Sequence, residues 1–387
     1  MTIRTYPSWG TDIEAEARAQ MDAAAALPVA VAGALMPDAH VGYGLPIGGV
    51  LATDNAVIPY GVGVDIACRM MMTVFDVPPD VLCTQRELYA GAIASHTKFG
   101  LGAQWDRPKS HAVMDGDWGV TPVTARLKEK AHRQLGTSGS GNHFVEFVEL
   151  DVAEEFRGIP RGTYLALLSH SGSRNAGASV ASHYTRLAKS CHPELKGAAG
   201  NLAWLAMDDL GSEYWEAMTL MGRYASANHH LIHEAIIAHI GHGVLQQIEN
   251  HHNFAWKEQF HGREVIVHRK GATPAGKGVL GIMPGSMGTP GFLVEGNGNA
   301  DSLNSTSHGA GRKMSRTAAA RTSSWKQIRE FLDRAGVRLI SAGLDEAPWA
   351  YKDILAVVDA QKDLATPVAR FMPRLVKMAP SGERPED

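Results

Sequence analysis

The chain has 387 residues, a formal net charge of −3, 44% hydrophobic and 20% charged residues. That balance is ordinary for a soluble globular protein and excludes both a disordered chain and a globally basic nucleic-acid coat, so any polynucleotide contact must come from a local cluster of Lys and Arg. Three cysteines, Cys68, Cys83 and Cys191, are too few and too odd for a disulfide framework and point to a reducing compartment. No apolar run approaches the roughly 20 residues of a membrane span. The first residues, with Arg4, Asp12, Glu14 and Glu16, lack the apolar stretch of a signal peptide, so the expected location is the cytoplasm. Eighteen His and 41 Gly stand out, favouring metal or phosphate chemistry and loops where backbone approaches a ligand closely.

In chain order, Asp12 to Ala26 predicts a helix rich in Ala and Glu, and short buried strands follow at Gly48 to Ala52 and Ala56 to Ile58 among Pro and Gly punctuation. Met70 to Val77 predicts a strand and Val123 to Leu135 a helix. Tyr164 to Leu168 predicts a strand that ends in Ser169-His170, then Ala176 to Ala188 a helix. Ser212 to Ile248 is helix-compatible throughout, with one or two breaks. Strands are expected at Glu264 to His268, Val279 to Met283 and Gly291 to Glu295. Ser324 to Ala335 predicts a capped amphipathic helix and Trp349 to Gln361 another. The tail from Ala379 to Asp387 is polar and expected to fray. Elements alternate irregularly and no linker divides them. The prediction is one large α+β catalytic domain over residues 1–378, with packed sheets and surrounding helices, and a tail over 379–387.

Seven segments carry chemistry. In Gly61-Val62-Gly63-Val64-Asp65-Ile66-Ala67-Cys68, a carboxylate and a thiol three residues apart can share a borderline or soft divalent ion such as Zn or Mn. A capping Asp beside a structural Cys is the alternative. Gly136 to Glu146 places three glycines before Asn142-His143, a loop that brings amides to an anion, with His143 a candidate ligand and Glu146 within reach. It lacks the Gly-Lys-Ser/Thr of a P-loop. His170 leaves a strand into Ser171-Gly172-Ser173-Arg174, a candidate ligand followed by a cation. No G-x-S-x-G elbow surrounds the Ser-His pair.

In Asn250-His251-His252-Asn253, adjacent histidines cannot point the same way, so at most one faces a site. His229 and His233, at chelating spacing, more often fill structural roles, as do His230, His239 and His242 beside them. Val267 to Thr273 contains Arg269-Lys270 before a Gly, a phosphate-binding patch or a solvated strand end. Pro284-Gly285-Ser286-Met287 opens a tight, donor-rich loop. Ser307-His308-Gly309-Ala310-Gly311 sets a histidine beside space for a phosphate, with Arg312, Lys313 and Arg316 nearby; a histidine can act as nucleophile and split a hard transfer into two steps.

Taken singly each segment is weak. Together, Asp65, Cys68, His143, His170 and His252 offer a metal ligand set, and the glycine loops suit a nucleotide triphosphate and a polynucleotide end.

The order of these blocks resembles the RtcB family of RNA ligases, from Met36-Pro37-Asp38-Ala39-His40 to Glu346-Ala347-Pro348-Trp349-Ala350-Tyr351-Lys352. The resemblance implies an α+β domain that joins RNA 3′-phosphate or 2′,3′-cyclic phosphate ends to 5′-hydroxyl ends with GTP and two Mn²⁺ ions, in RNA repair or tRNA splicing. It implies that Cys68 bridges the metals, with Asp65, His143, His170 and His252 completing them. His308 would attack the α-phosphorus of GTP, and the GMP would pass to the RNA 3′-phosphate before the 5′-hydroxyl displaces it. Asn142, Glu146, Asn253, Pro284 to Met287 and Gly309 to Gly311 match guanylate-contacting positions. Arg174, Arg269 and Lys270 are expected to hold RNA phosphates, and the protein to act as a monomer without a membrane. Departures from the family pattern are Arg69 beside the metal cysteine, Gly291 where a serine is frequent, and Lys377 shifted from the position of the family's C-terminal lysine. The last of these motivates a second reading, a metal-dependent phosphoesterase or cyclic phosphodiesterase on RNA ends. A third reading, a non-catalytic binder of RNA ends, has no use for a nucleophile.

Overall fold

The computed structural model describes residues 5–382. Arg4, and positions 383–387 of the expected tail, lie outside the described residues. Two large β-sheets contribute residues to the site. The larger is antiparallel in the order Leu280–Met283, Gly291–Gly296, Ala365–Met378, Phe144–Val152, Gly162–Ser171, Arg69–Phe75, Val244–His251, with Arg338–Ser341 added in parallel to the long Ala365–Met378 strand. Its two ends approach each other where Ile282 N donates to Asn250 Oδ1 at 3.1 Å, so the sheet is nearly closed into a barrel. The smaller sheet runs Ala30–Tyr43, Leu45–Thr53, Arg263–Lys270, Phe254–Phe260, all antiparallel. This mixed architecture is the α+β class expected from the irregular alternation of elements. No helix among the described residues is long and apolar enough to cross a membrane.

The helices pack outside this frame. Ala15–Ala25 buries Ala17, Met21 and Ala24 against the smaller sheet. Arg174–Cys191 and the 31-residue helix Leu210–Ile240 share a core that includes Val180, Tyr184, Tyr214, Met218 and Tyr224. Trp325–Ala335 is capped by Ser324, whose hydroxyl accepts from Gln327 N while the Gln327 side chain returns the bond. Its apolar stripe, Ile328 and Leu332, packs on Met287, Val376 and Met378 below the cavity.

Several expectations are corrected. The expected breaks within Ser212 to Ile248 do not occur: the helix is continuous to Ile240 and stops at Gly241, whose left-handed φ of +72° ends it, so Val244 to Ile248 belong to a strand. Trp349 to Gln361 is not one helix. Pro348–Ala350 forms a short 3₁₀ turn, Lys352 N bonds to Gly311 O at 2.9 Å, and only Ile354–Asp359 is helical, capped by Asp353. A tertiary pairing thus interrupts a helical pattern. The long strands Ala30–Tyr43 and Ala365–Met378, and the helix Arg86–His96, carry no clear signal in the sequence. Pro37 and Pro373 disguise the two strands, because proline reads against a central strand. Both sit at register irregularities.

Candidate active site

The irregularity in the first strand pair has a consequence for the site. Leu35 pairs with Gly49 but His40 pairs with Ile47, so Met36 to Ala39 form a bulge with extra residues on one side. Asp38, fully buried, is carried in this bulge toward His308. Its Oδ2 lies 2.8 Å from His308 Nδ1 and 3.2 Å from His308 N. Because a carboxylate only accepts, Nδ1 carries the proton and Nε2 is the lone-pair nitrogen. Gly311, at φ +73°, abuts the same bulge: a Cβ there would fall 2.1 Å from Asp38 O.

A buried cluster lies beside His308, with the His252 and His308 ring centroids 4.9 Å apart. Ligand atoms of Cys68, His143 and His170 all fall within 4.8 Å of one another. Cys68 Sγ is 3.1 Å from His170 Nε2 and 3.4 Å from His143 Nε2. His143 Nε2 is 3.1 Å from Asp65 Oδ2, and His252 Nε2 is 3.4 Å from His170 Nε2. Thiol, carboxylate and three imidazoles therefore converge from the Gly63 to Cys68 turn, the Gly141 to His143 loop and the ends of the two strands that flank Arg69–Phe75.

Local structure holds each donor in place. Asp65 Oδ1 accepts from Ser173 N at 3.2 Å. Cys68 is flanked by Ala67 in a left-handed conformation, φ +57°, and its carbonyl accepts from His252 N at 2.9 Å. His170 Nδ1 donates to Asn142 O at 3.2 Å, which leaves Nε2 as the free lone pair. Burial keeps His170 and His252 well below the ordinary histidine pKa, so both are neutral and able to ligate. The donor set is chemically apt for a borderline divalent ion: neutral nitrogens, a thiol and a carboxylate, converging at one buried point.

The cluster opens into a cavity of about 1290 Å³, larger than the several hundred Å³ of a site for one small ligand. Its walls include Asp65, Cys68, His143, His170, His252 and His308, and also Asn142, Glu146, Asn253, Pro284 to Met287 and Gly309 to Gly311. The sequence candidates for metal binding, for the nucleophile and for guanylate contact thus line one space. Glu146 is buried, and burial pushes its carboxyl well above the usual range. Asn253 Oδ1 accepts from Gly271 N at 2.7 Å. Ser286 N donates to Thr289 Oγ1 at 2.7 Å, bracing the Pro284 to Met287 loop. Of the tandem histidines, only His252 lines the cavity; His251 stacks near Phe254 and Trp256.

Other expectations change. Arg174 is buried and donates to Thr137 Oγ1 at 3.0 Å and Gly100 O at 2.7 Å. Arg269 is buried against Glu258, with Nη1 to Oε1 at 2.6 Å, and donates to Leu303 O. Neither lines the cavity, so neither is placed to hold RNA phosphates; lysine or arginine beside a motif does not tell which way the side chain points. Lys270 does line it, and burial lowers its pKa to about 7. Arg312 and Arg316 line it too, paired with Glu346, while Lys313 does not. Lys377 points to the opposite face of its strand from Val376 and Met378, which line the cavity, and donates to Thr97 O at 3.2 Å. Arg69 pairs with Glu249 and donates to Gly222 O at 2.8 Å.

The buried helical histidines His229 and His233 are structural. His229 Nε2 donates to Ser171 O, and its Nδ1 accepts from Ser169 Oγ at 2.6 Å. Ser169 in turn accepts from His233 Nε2, whose Nδ1 accepts from Thr73 Oγ1 at 2.7 Å. Sequence reasoning did not single out Asp38, His40, Tyr60 or Glu346. The signal for Asp38 and His40 was present in the Pro37-Asp38-Ala39-His40 block.

A family model described as "tRNA-splicing ligase RtcB" matches residues 20–378. The chain is 34% identical to an "RNA-splicing ligase RtcB" of Escherichia coli K12, with 92% of each chain covered. It is 32% identical to a "tRNA-splicing ligase RtcB" of Archaeoglobus fulgidus, over 93% of this chain and 90% of the relative. It is 30% identical to one of Pyrobaculum aerophilum, over 90% and 86%. With the motif blocks gathered around one cavity and the match running through nearly the whole chain, this protein belongs to the RtcB family of tRNA-splicing ligases.

Proposed function

We propose that residues 1–378 form one catalytic domain that joins RNA 3′-phosphate or 2′,3′-cyclic phosphate ends to 5′-hydroxyl ends, with GTP as the co-substrate. The observation that carries this reading is the Asp38–His308 contact: a buried carboxylate 2.8 Å from Nδ1 fixes the tautomer that presents Nε2 as a nucleophile. Joined to the family match, whose members are named as RNA ligases, that geometry favours transfer to the imidazole over hydrolysis.

In the first step His308 Nε2 attacks the α-phosphorus of GTP, an N–P bond forms, and pyrophosphate leaves with the electrons of the broken P–O bond. Asp38 stabilises the positive charge that grows on the imidazole. In the second step an oxygen of the RNA 3′-phosphate takes the GMP from His308, giving an RNA-(3′)pp(5′)G end. In the third the 5′-hydroxyl attacks the terminal RNA phosphorus, loses its proton and expels GMP. A cyclic phosphate is first opened by water. Asp65, Cys68, His143, His170 and His252 would hold two Mn²⁺ ions. Bound there, the ions supply positive charge beside the phosphate oxygens.

The nucleotide base would lie toward Glu146, Asn142 and the Pro284 to Met287 loop. A buried carboxyl at Glu146 can accept from N–H groups on a guanine edge. Gly309 to Gly311 leave room for the phosphates and expose backbone amides. The protein would act as a monomer in the cytoplasm, in RNA repair or tRNA splicing.

The test is incubation of the metal-loaded protein with α-labelled GTP. Acid-labile label on the wild type, absent from His308→Ala, is expected. No label, or label that survives His308→Ala, overturns the reading. Opening of a 2′,3′-cyclic phosphate without any joining would favour the phosphodiesterase instead.

A further inference from the structure

One wall of the cavity carries Lys270 but none of the candidate metal ligands. It is formed by the smaller sheet and the first helix. Tyr43, at the end of the Ala30–Tyr43 strand, is 65% exposed yet lines the cavity. An exposed tyrosine alone means little. This one is mounted on a rigid support. Gln20 clamps the preceding Gly42 with both ends of its amide, at 3.0 and 2.6 Å. Lys270 Nζ donates to the Tyr43 carbonyl at 2.6 Å. The following Gly44, at φ +75°, is packed so closely that a Cβ would meet Asn201 O at 2.9 Å.

A second aromatic ring stands beside it. Tyr60 meets Tyr43 edge to face, with centroids 6.4 Å apart and planes at 84°. Lys270 Nζ lies 5.0 Å from the Tyr60 ring centroid. The wall is also close to the chemistry: a Cβ on Gly271, next to Lys270, would lie 3.3 Å from His308 Cε1.

We propose that Tyr43, backed by Tyr60, is a stacking platform for the first nucleobase of the RNA strand that enters with its 5′-hydroxyl end. The proposal rests on the RNA-joining reading above. Single-stranded RNA is held by aromatic rings that stack on base faces, and a ring already fixed in place loses little entropy on binding. The choice of end follows from charge. Glu14 and Glu16 line the same cavity, and Glu16 stands one helical turn before Gln20 on the face that reaches Gly42. Carboxylates there repel a terminal phosphate and tolerate an uncharged hydroxyl.

The experiment uses the full, metal-loaded protein without nucleotide and a short single-stranded RNA with a 5′-hydroxyl and 2-aminopurine as its first base. Binding is followed by anisotropy and by 2-aminopurine fluorescence. The wild type is expected to quench the fluorophore. Tyr43→Ala is expected to weaken binding by about tenfold or more and to lose the quenching, while Tyr43→Trp restores both. A 5′-phosphate on the same strand is expected to weaken binding. Unchanged affinity and quenching in Tyr43→Ala would overturn the platform, and equal affinity for the 5′-phosphorylated strand would overturn the choice of end. Since this binding needs no GTP, it stays informative even if the wild type fails to take label at His308, the separate sign that the ligase reading is wrong.

Discussion

Gly172 lies directly beneath Asp65, so close that a Cβ at position 172 would fall 2.0 Å from Oδ1 and 2.3 Å from Oδ2. The Asp65 carboxylate therefore rests in a hollow that only glycine leaves open. Replacing Gly172 by Ala is expected to push Asp65 away from His143 and lower divalent-ion affinity by about ten- to a hundredfold. Titration calorimetry with Mn²⁺ reads this directly, with circular dichroism as the check that the variant folds. Wild-type affinity in Gly172→Ala would show that Asp65 takes no part in holding a metal.

Asp38 acts through His308 and is a positioning residue. Asp38→Asn removes the charge that stabilises the imidazole as it becomes positive, so the rate of His308 labelling by GTP is expected to fall on the order of a hundredfold or more. The pH dependence of labelling should shift as well, which a merely structural role would not produce. Metal content should be retained, since Asp38 is no member of the ligand cluster. A labelling rate and pH profile equal to the wild type would remove Asp38 from the mechanism.

Acid should destabilise the fold through its buried neutral histidines. Burial lowers His268 and His40 to about 4, and His229 and His251 to about 3. His268 shows why: Nε2 accepts from Ile58 N at 2.9 Å while Nδ1 donates to Leu51 O, so a second proton would break the first bond. In the unfolded chain histidine takes its proton near 6.5, so between pH 6.5 and 4 the unfolded state holds more protons. Stability then rises with pH through that window and is lost on acidification, by roughly 3 kcal/mol for His268 alone. Urea unfolding at a series of pH values checks this; a flat profile from pH 6.5 to 4 contradicts it.

Base selection is expected to depend on Glu146 and not on Lys377. Glu146→Gln exchanges a carboxyl acceptor for an amide and should raise the KM for GTP by about tenfold while reducing discrimination against ATP. Lys377→Met, on the far face of its strand, should leave both unchanged. Steady-state labelling with the two nucleotides distinguishes these outcomes, and a selective loss in Lys377→Met would reverse the assignment.

The family, the α+β class, and the candidates Asp65, Cys68, His143, His170 and His252 for a metal and His308 for a nucleophile could all be read from the amino-acid sequence alone. These were legible because each is a short block in which residue type and glycine spacing carry the chemistry locally. Only the tertiary structure decided which cations matter and what orients the nucleophile. Arg174 and Arg269 turn inward to satisfy buried carbonyls and Glu258, while Lys270 in the same block faces the cavity. Asp38 and His308 are separated by most of the chain, and meet only because a bulge in one strand displaces Asp38 out of register. Side-chain direction at a strand end and contact across 270 positions depend on packing of the whole sheet frame, which no local pattern encodes.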